Sequence, residues 1–467
     1  MRADLHYLSL LDVSERIRRR EVSSVEIVSA LLARIATFES RLNGFLRVMG
    51  DTALADARRV DAELGRGQWR GPMHGVPIGI KDLIDVAGVP TTSGTEIMKD
   101  RVPAADATIV GRLKRAGAIV IGKTHMTEAA TLDHHPMYKR PDNPWKSGYW
   151  TGVSSSGSGV SVAAGFCYGA LGSDTGGSIR MPSSACGLSG IKPTWGRVSR
   201  QGVFPLAESF DHIGPMCRTV ADAATMLQII AGQDPADPTA LTAAVPDYAA
   251  ELGAGISKLR IGIDWRLLED RVDTAVAESI RQAALTFELL GAHLREVALP
   301  PIAAMAAVAP LMMAEIRAAH AETYPREADR YGPALARMLA GGDALGAIDV
   351  ARAVHARRVW SGRLRRLFDD IDILLVPAAP GPTPSCEELD AMQGDAAALM
   401  DRISRYTMPF NVSGSPTLSL PCGFDRNGLP LGLQLVGPHL SEALLCRAGH
   451  AFQQATDFHT AHPVLER

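Results

Sequence analysis

The 467-residue sequence contains no C-x-x-C pair. Its cysteines, Cys167, Cys186, Cys217, Cys386, Cys422 and Cys446, are scattered along the chain. That excludes a zinc ribbon or a disulfide framework and predicts reduced, small core residues in a cytoplasmic protein. A strong charge of either sign is missing too: Lys plus Arg total 48, Asp plus Glu 51, and the net charge is −3. A basic nucleic-acid footprint and an acidic tail are thereby excluded. The opening "MRADLHYLSLLDVSERIRRR" lacks the continuous apolar core of a signal peptide. No run reaches the ~18 apolar residues of a membrane span. The nearest, Ile302–Ile316, is cut by Pro310 and carries Glu315, so a buried or pocket-lining helix is expected there and no membrane partner. There are no repeats and no low-complexity segments, and G-x-S-x-G, the nucleophile turn of α/β-hydrolases, is absent.

What is present is ordinary globular composition, with 46% hydrophobic and 21% charged residues. Length alone suggests about three domains at roughly 150 residues each. The element pattern argues for one domain over 1–467. Ile27, Val28, Leu31, Leu32 and Ile35 recur at helical spacing behind Ser23 and Ser24, either of which can cap the helix. "GVPIGIKDLIDV" reads as a strand ending at Lys81. Asp106 is placed to cap "ATIVGRLKRAG", and "AIVIG" follows as a buried strand. "SGSGVSVAAG" fits a tightly packed helix. A proline-rich connection, with Pro235, Pro238 and Pro246, separates these from "KLRIGID", a helix and "AHLREVAL". Helices dominate from about 310 to 368. "IDILLVP", "TLSLPCGF" and "LGLQLVG" are apolar strands before a closing helix. The alternation predicts an α/β fold: a large mixed, mostly parallel twisted sheet with helices on both faces.

Three motif matches fail on context. "GAIVIGKT" spells the phosphate-binding pattern, but Ala118, Ile119, Val120 and Ile121 form a buried strand whose N–H groups belong to a sheet. "SGIK" spells S-x-x-K, yet Gly190 and the following Pro193 oppose the helix that pairing needs. His134 and His135 are adjacent, point apart and have no third ligand at metal spacing. They suit a loop that offers polar groups to a substrate, and no metal or other cofactor is expected.

The run "LGSDTGGSIRMPSS" (171–184) is different. Its adjacent glycines permit a turn in which the N–H groups of Thr175, Gly176, Gly177 and Ser178 converge on a developing oxyanion. A serine nucleophile needs a base. Lys81 at its strand end is either a desolvated, neutral lysine or one snorkelling to solvent. Ser154, Ser155 and Ser156 precede the small-residue helix, where a serine run is most often a cap.

Together "GVPIGIKD", "GVSSSGSGVSVAAG" and "GALGSDTGGSIRMPSSACGLSGIKPTWGRVS" resemble the amidase signature family of serine hydrolases. So do "FDHIGPM", "FDDIDILLVPAAPGPTP" and "YTMPFNVSGSPTLSLPCGFDRNGLPLGLQLVG". The resemblance spans nearly the whole chain, with the motif core at about 71–220 and a variable, helical pocket region at about 300–368. It implies a Ser–cisSer–Lys triad: Ser178 as nucleophile, Ser154 as bridge after a cis peptide bond, and Lys81 as base. Ser155 would support the network, and Asp174 and Arg180 would brace the turn. Ser173, Ser183 and Ser184 are expected to be structural. Val153 and Ser156 stand where family members commonly carry glycine, so the valine is expected to reshape the adjoining pocket. The resemblance implies an amidohydrolase acting on small or medium carboxamides, anilides or carbamates, with a homodimer as the assembly allowed. Its pocket would draw on His134, His135, Tyr138, Met312 and Met313. Two alternatives are the glutamine-hydrolysing subunit of a tRNA-dependent amidotransferase and a non-catalytic binding protein on the same fold.

Overall fold

A computed structural model describes residues 5–269, 271–392 and 394–466; Met1–Asp4 of the N-terminal stretch lie outside them. The helical spacing behind Ser23 produces helix Ser24–Leu42, with Ile27, Val28, Leu31 and Ile35 buried. Ser23 and Glu26 close it with a reciprocal capping box. Asp106 does not cap its helix, which runs Thr108–Arg115 behind Ala107. Its carboxylate instead accepts from Lys114 Nζ at 2.8 Å and from the Ala87 N–H. Here a cationic partner from the helix's last turn outcompetes the backbone amides of its first.

Eleven strands form one sheet: Phe45–Val48 (β1), Pro77–Lys81 (β2), Ile119–Thr124 (β3), Gly169–Asp174 (β4), Ser189–Lys192 (β5), His212–Cys217 (β6), Arg260–Ile263 (β7), His293–Glu296 (β8), Ile373–Pro377 (β9), Thr417–Phe424 (β10) and Pro430–Val436 (β11). Their spatial order is β1-β3-β2-β4-β6-β5-β10-β11-β9-β7-β8. Every residue of β2, β3, β4, β5, β6 and β9 is buried, so the sheet is covered on both faces. The sheet is mixed, but it is not mostly parallel. Only β2–β3, β2–β4, β7–β8 and β7–β9 are parallel. The other ladders, including the run β4–β6–β5–β10–β11–β9, are antiparallel. A strand buried on both faces is apolar throughout in either direction, so its composition carries no sign of orientation.

Strands on both sides of the proline-rich connection share this sheet: β5 pairs with β10 through Lys192 and Thr417. "GAIVIGKT" and "SGIK" are strands β3 and β5, as the local sequence required. Between β8 and β9 the chain is helical, with segments Ile302–Val308, Ala309–Ala319, Pro333–Asp343 and Ala347–Leu367. Ile302–Ala319 forms 18 continuous helical residues of mean hydropathy 1.5, enough by length and composition to cross a bilayer. Glu315 within it accepts from the Ser209 N–H at 3.0 Å and the Ser209 hydroxyl at 2.7 Å, which ties the segment to the core.

Candidate active site

Parallel pairing of β2 with β4 brings the ends of two neighbouring strands together, the position where α/β sheets form clefts. Lys81 ends β2, and Ser173 and Asp174 end β4. Lys81 is fully buried and donates from Nζ to Ser154 Oγ at 2.7 Å and to Ser173 Oγ at 2.8 Å. It does not snorkel. Burial pulls its pKa down from 10.5 to about 7, against the opposing pull of Asp174 and Asp211. Ser173, expected to be structural, is therefore a direct partner of the lysine. The signal that could have found it is its place two residues beyond the last β2–β4 paired position.

Ser154 follows a cis peptide bond from Val153. Its carbonyl accepts from the Thr127 N–H at 3.2 Å. The next residue joins the two serine segments: the Ser155 N–H donates to the Ser178 carbonyl at 3.3 Å, and the Ser155 hydroxyl to the Ser173 carbonyl at 3.2 Å. Ser156 opens helix Ser156–Ala163, and its hydroxyl meets His134 Nε2 at 3.0 Å. A glycine there would lose this partner.

Asp174 organises the turn that carries Ser178. Its carboxylate accepts from the N–H groups of Gly177 at 2.8 Å and Ile179 at 3.1 Å, from Arg180 Nη2 at 2.9 Å and from Asn411 Nδ2 at 2.8 Å. Burial raises the carboxyl pKa, and the Arg180 guanidinium outweighs it, holding the group well below the usual carboxylate range. Because its N–H serves Asp174, Gly177 drops out of the expected oxyanion set, leaving the amides of Thr175, Gly176 and Ser178. Ser178 itself is 6% exposed. The Thr175 hydroxyl donates to Asp211 Oδ1 at 2.5 Å, and Thr407 Oγ1 donates to the Gly176 carbonyl at 2.5 Å. Asp211, Thr407 and Asn411 were not singled out in the sequence. They come from distant segments, and only the fold reveals their role.

Val153 projects from this centre into a cavity of about 1160 Å³. Its walls include His134, Leu132 and Met408, and the helical insertion adds Met305, Met312, Met313 and Met338. His135 and Tyr138, expected beside them, lie outside this lining. The buried His135 turns its Nδ1 to the Met137 N–H at 3.1 Å, and Tyr138 packs edge-on against His125. Adjacent loop residues point apart, so only one of the histidine pair reaches the cavity.

A family model described as Amidase matches residues 26–446. The chain belongs to the amidase signature family. The AmiD protein of Mycobacterium tuberculosis is 46% identical over 460 residues, covering 98% of this chain and 96% of that protein. A relative from Methylococcus capsulatus, a component of its glutamyl-tRNA(Gln) amidotransferase, is 38% identical over 98% of this chain and 99% of that protein. The native peptide amidase of Stenotrophomonas maltophilia superposes with a TM-score of 0.84 at 31% identity, covering 96% of each chain. Membership of this amidase family makes the chain an amide-hydrolysing enzyme and accounts for its large mixed sheet.

Proposed function

We propose that the chain hydrolyses C–N bonds of small or medium carboxamides, anilides or carbamates that carry an apolar or aryl group, with Ser178 as nucleophile. The observation carrying this is the buried Lys81 beside Ser154, with its pKa drawn down to about 7. A lysine with a substantial neutral fraction near pH 7 accepts a proton. As Ser178 Oγ attacks the carbonyl carbon, its proton passes to Ser154, whose own proton passes to Lys81. The amides of Thr175, Gly176 and Ser178 stabilise the oxyanion. The relay then reverses, protonating the leaving nitrogen and freeing the amine. Water repeats the cycle on the acyl-enzyme and releases the acid. The methionine-rich cavity supports an apolar substrate group, since thioether side chains adapt to varied shapes. Six free cysteines, five of them buried, support a reducing, cytoplasmic setting.

The test is a hydrolysis panel of aryl amides, anilides, carbamates, esters and glutamine, with fluorophosphonate labelling of Ser178. Aryl amides should turn over and labelling should vanish in Ser178→Ala. Turnover of glutamine alone, and only with partner proteins, would instead identify a component of an amidotransferase. An absence of both labelling and turnover would leave a binding protein.

A further inference from the structure

His134 lines the methionine-walled cavity, and its hydrogen bonding fixes where its ring proton sits. Ser156 is fully buried, and among the described residues its hydroxyl has one hydrogen-bond partner, His134 Nε2 at 3.0 Å. A buried hydroxyl proton needs an acceptor. Ser156 therefore donates, Nε2 accepts, and a neutral imidazole carries its proton on Nδ1. Burial holds this ring well below the usual histidine range, helped by His125, edge-on at 5.0 Å, and by the charge of Arg140. Nδ1 has no partner among the described residues, and it is not one of their enclosed polar atoms left without one. It therefore opens, as an N–H donor, into the space that His134 lines.

That donor sits on the segments that frame the reaction centre. Ser156 lies two residues beyond Ser154, and Val153, the residue before Ser154, lines the same cavity. Met408, also in the lining, packs on the turn that carries Ser178: a Cβ added at Gly176 would meet its Cε at 2.9 Å. The wall around His134 is apolar, with Leu132, Trp150 and Val153 packed in one cluster. Charged groups of the same lining answer one another, as Arg140, Arg266 and Arg271 are bound to Asp390, Asp264 and Asp401. An N–H held in an apolar wall gains from a substrate that brings an acceptor. A substrate without one leaves that proton unpaired.

We infer that His134 is a specificity-determining donor whose Nδ1–H selects amides carrying an acceptor oxygen, an ether or a second carbonyl, on the group seated in the cavity. The inference rests on the hydrolytic reading above, with the substrate in the methionine-walled cavity. The imidazole moves no proton in the reaction. It holds the group by its oxygen while the thioethers adapt to the carbon around it. Ser156 is the positioning residue, because its hydroxyl decides which ring nitrogen carries the hydrogen.

The test is a ratio of kcat/KM between matched substrates. p-Nitroanilides of straight-chain acids are paired with isosteres in which an ether oxygen replaces one methylene, at successive positions along the chain. Amine-side groups are covered by the p-methoxyanilide and p-ethylanilide of butanoic acid. The electronic effect of the oxygen on the scissile bond is common to all variants and cancels between them. Fluorophosphonate labelling of Ser178 selects the variants that fold. For the best pair, preference for the oxygen isostere should fall about tenfold in His134→Phe, which keeps a ring and loses the donor. His134→Gln, whose amide donates, should restore part of it, and Ser156→Ala should weaken it. A preference unchanged in folded His134→Phe for every pair would overturn the inference. Failure of the hydrolytic reading looks different: the unmodified enzyme would turn over neither member of any pair, or Ser178→Ala would keep turnover.

Discussion

Arg180 and Asp174 form an ion pair at 2.9 Å with neither side chain exposed to solvent. The guanidinium also reaches Gln434 Oε1 at 2.9 Å and Asn411 Oδ1 at 2.6 Å, so one arginine links the Ser178 turn to β11 and the 408–412 helix. Removing it leaves a buried carboxylate without its counter-charge. Arg180→Met should lower stability by about 3–5 kcal/mol, read by urea denaturation. Fluorophosphonate labelling should fall with it under conditions where the unmodified enzyme is folded.

Ser178→Ala removes the oxygen proposed to attack the substrate from a turn that the Asp174 carboxylate holds in shape. Turnover of aryl amides should drop by about 10⁴-fold or more while the denaturation midpoint stays within the usual surface-substitution range. Measurable turnover at the unmodified rate would remove Ser178 from its assigned role.

The pH dependence follows from Lys81. Its pKa is lowered to about 7, so below that pH it is an ammonium and accepts no proton; above it, the amine is free. kcat/KM should therefore rise with pH through about 7 and level off above, in a single-proton curve. A flat profile across that range, measured with a non-ionising amide, would contradict a lysine base.

Gly177 has φ +133°, and a Cβ there would stand 2.7 Å from Thr407 Cβ. Gly177→Ala meets both a backbone conformation disfavoured for L side chains and a neighbour hydrogen-bonded to Gly176. It should cost about 1–3 kcal/mol of stability. It should also lower kcat more than it raises KM, because it shifts the neighbouring amides proposed to stabilise the oxyanion. Paired kinetics and denaturation on purified protein read both effects.

Val153 lines the methionine-walled cavity and packs in a small cluster that includes Met181 and Ile403. Val153→Ala should widen the cavity beside Ser154. Relative kcat/KM for branched over straight-chain acyl amides should then rise by about tenfold, the scale of one or two methylene contacts. An unchanged ratio would place the acyl group elsewhere.

Most strands and long helices were legible because apolar periodicity and glycine or proline boundaries coincide with their ends, as at helix Ser24–Leu42 and strand β9. The pairing of Lys81 with Ser154 was legible through their surrounding runs, and the cis bond at Ser154 is where the resemblance put it. Strand direction was not, since fully buried strands look alike both ways. Nor was the competition for the Gly177 amide, which depends on where Asp174 points its carboxylate. His135 and Tyr138 failed for a similar reason: which of several neighbouring side chains faces a cavity is decided by loop dihedrals, not by residue type. Ser173 and Asp211 needed contacts between segments far apart in sequence.

The helical stretch between β8 and β9 supplies much of the methionine-walled cavity and none of Lys81, Ser154 or Ser178. Its connection to the rest of the site includes one narrow joint: the Glu128 carboxylate accepts from the Gly332 N–H at 3.0 and 3.1 Å, beside the Thr127 amide that bonds Ser154. The cavity's methionine-rich wall thus comes from one contiguous stretch of chain, and its opposite wall, with His134 and Val153, from the segments that adjoin Ser154. Exchanging that one stretch is expected to change which acyl groups fit while leaving the Lys81–Ser154 contact in place.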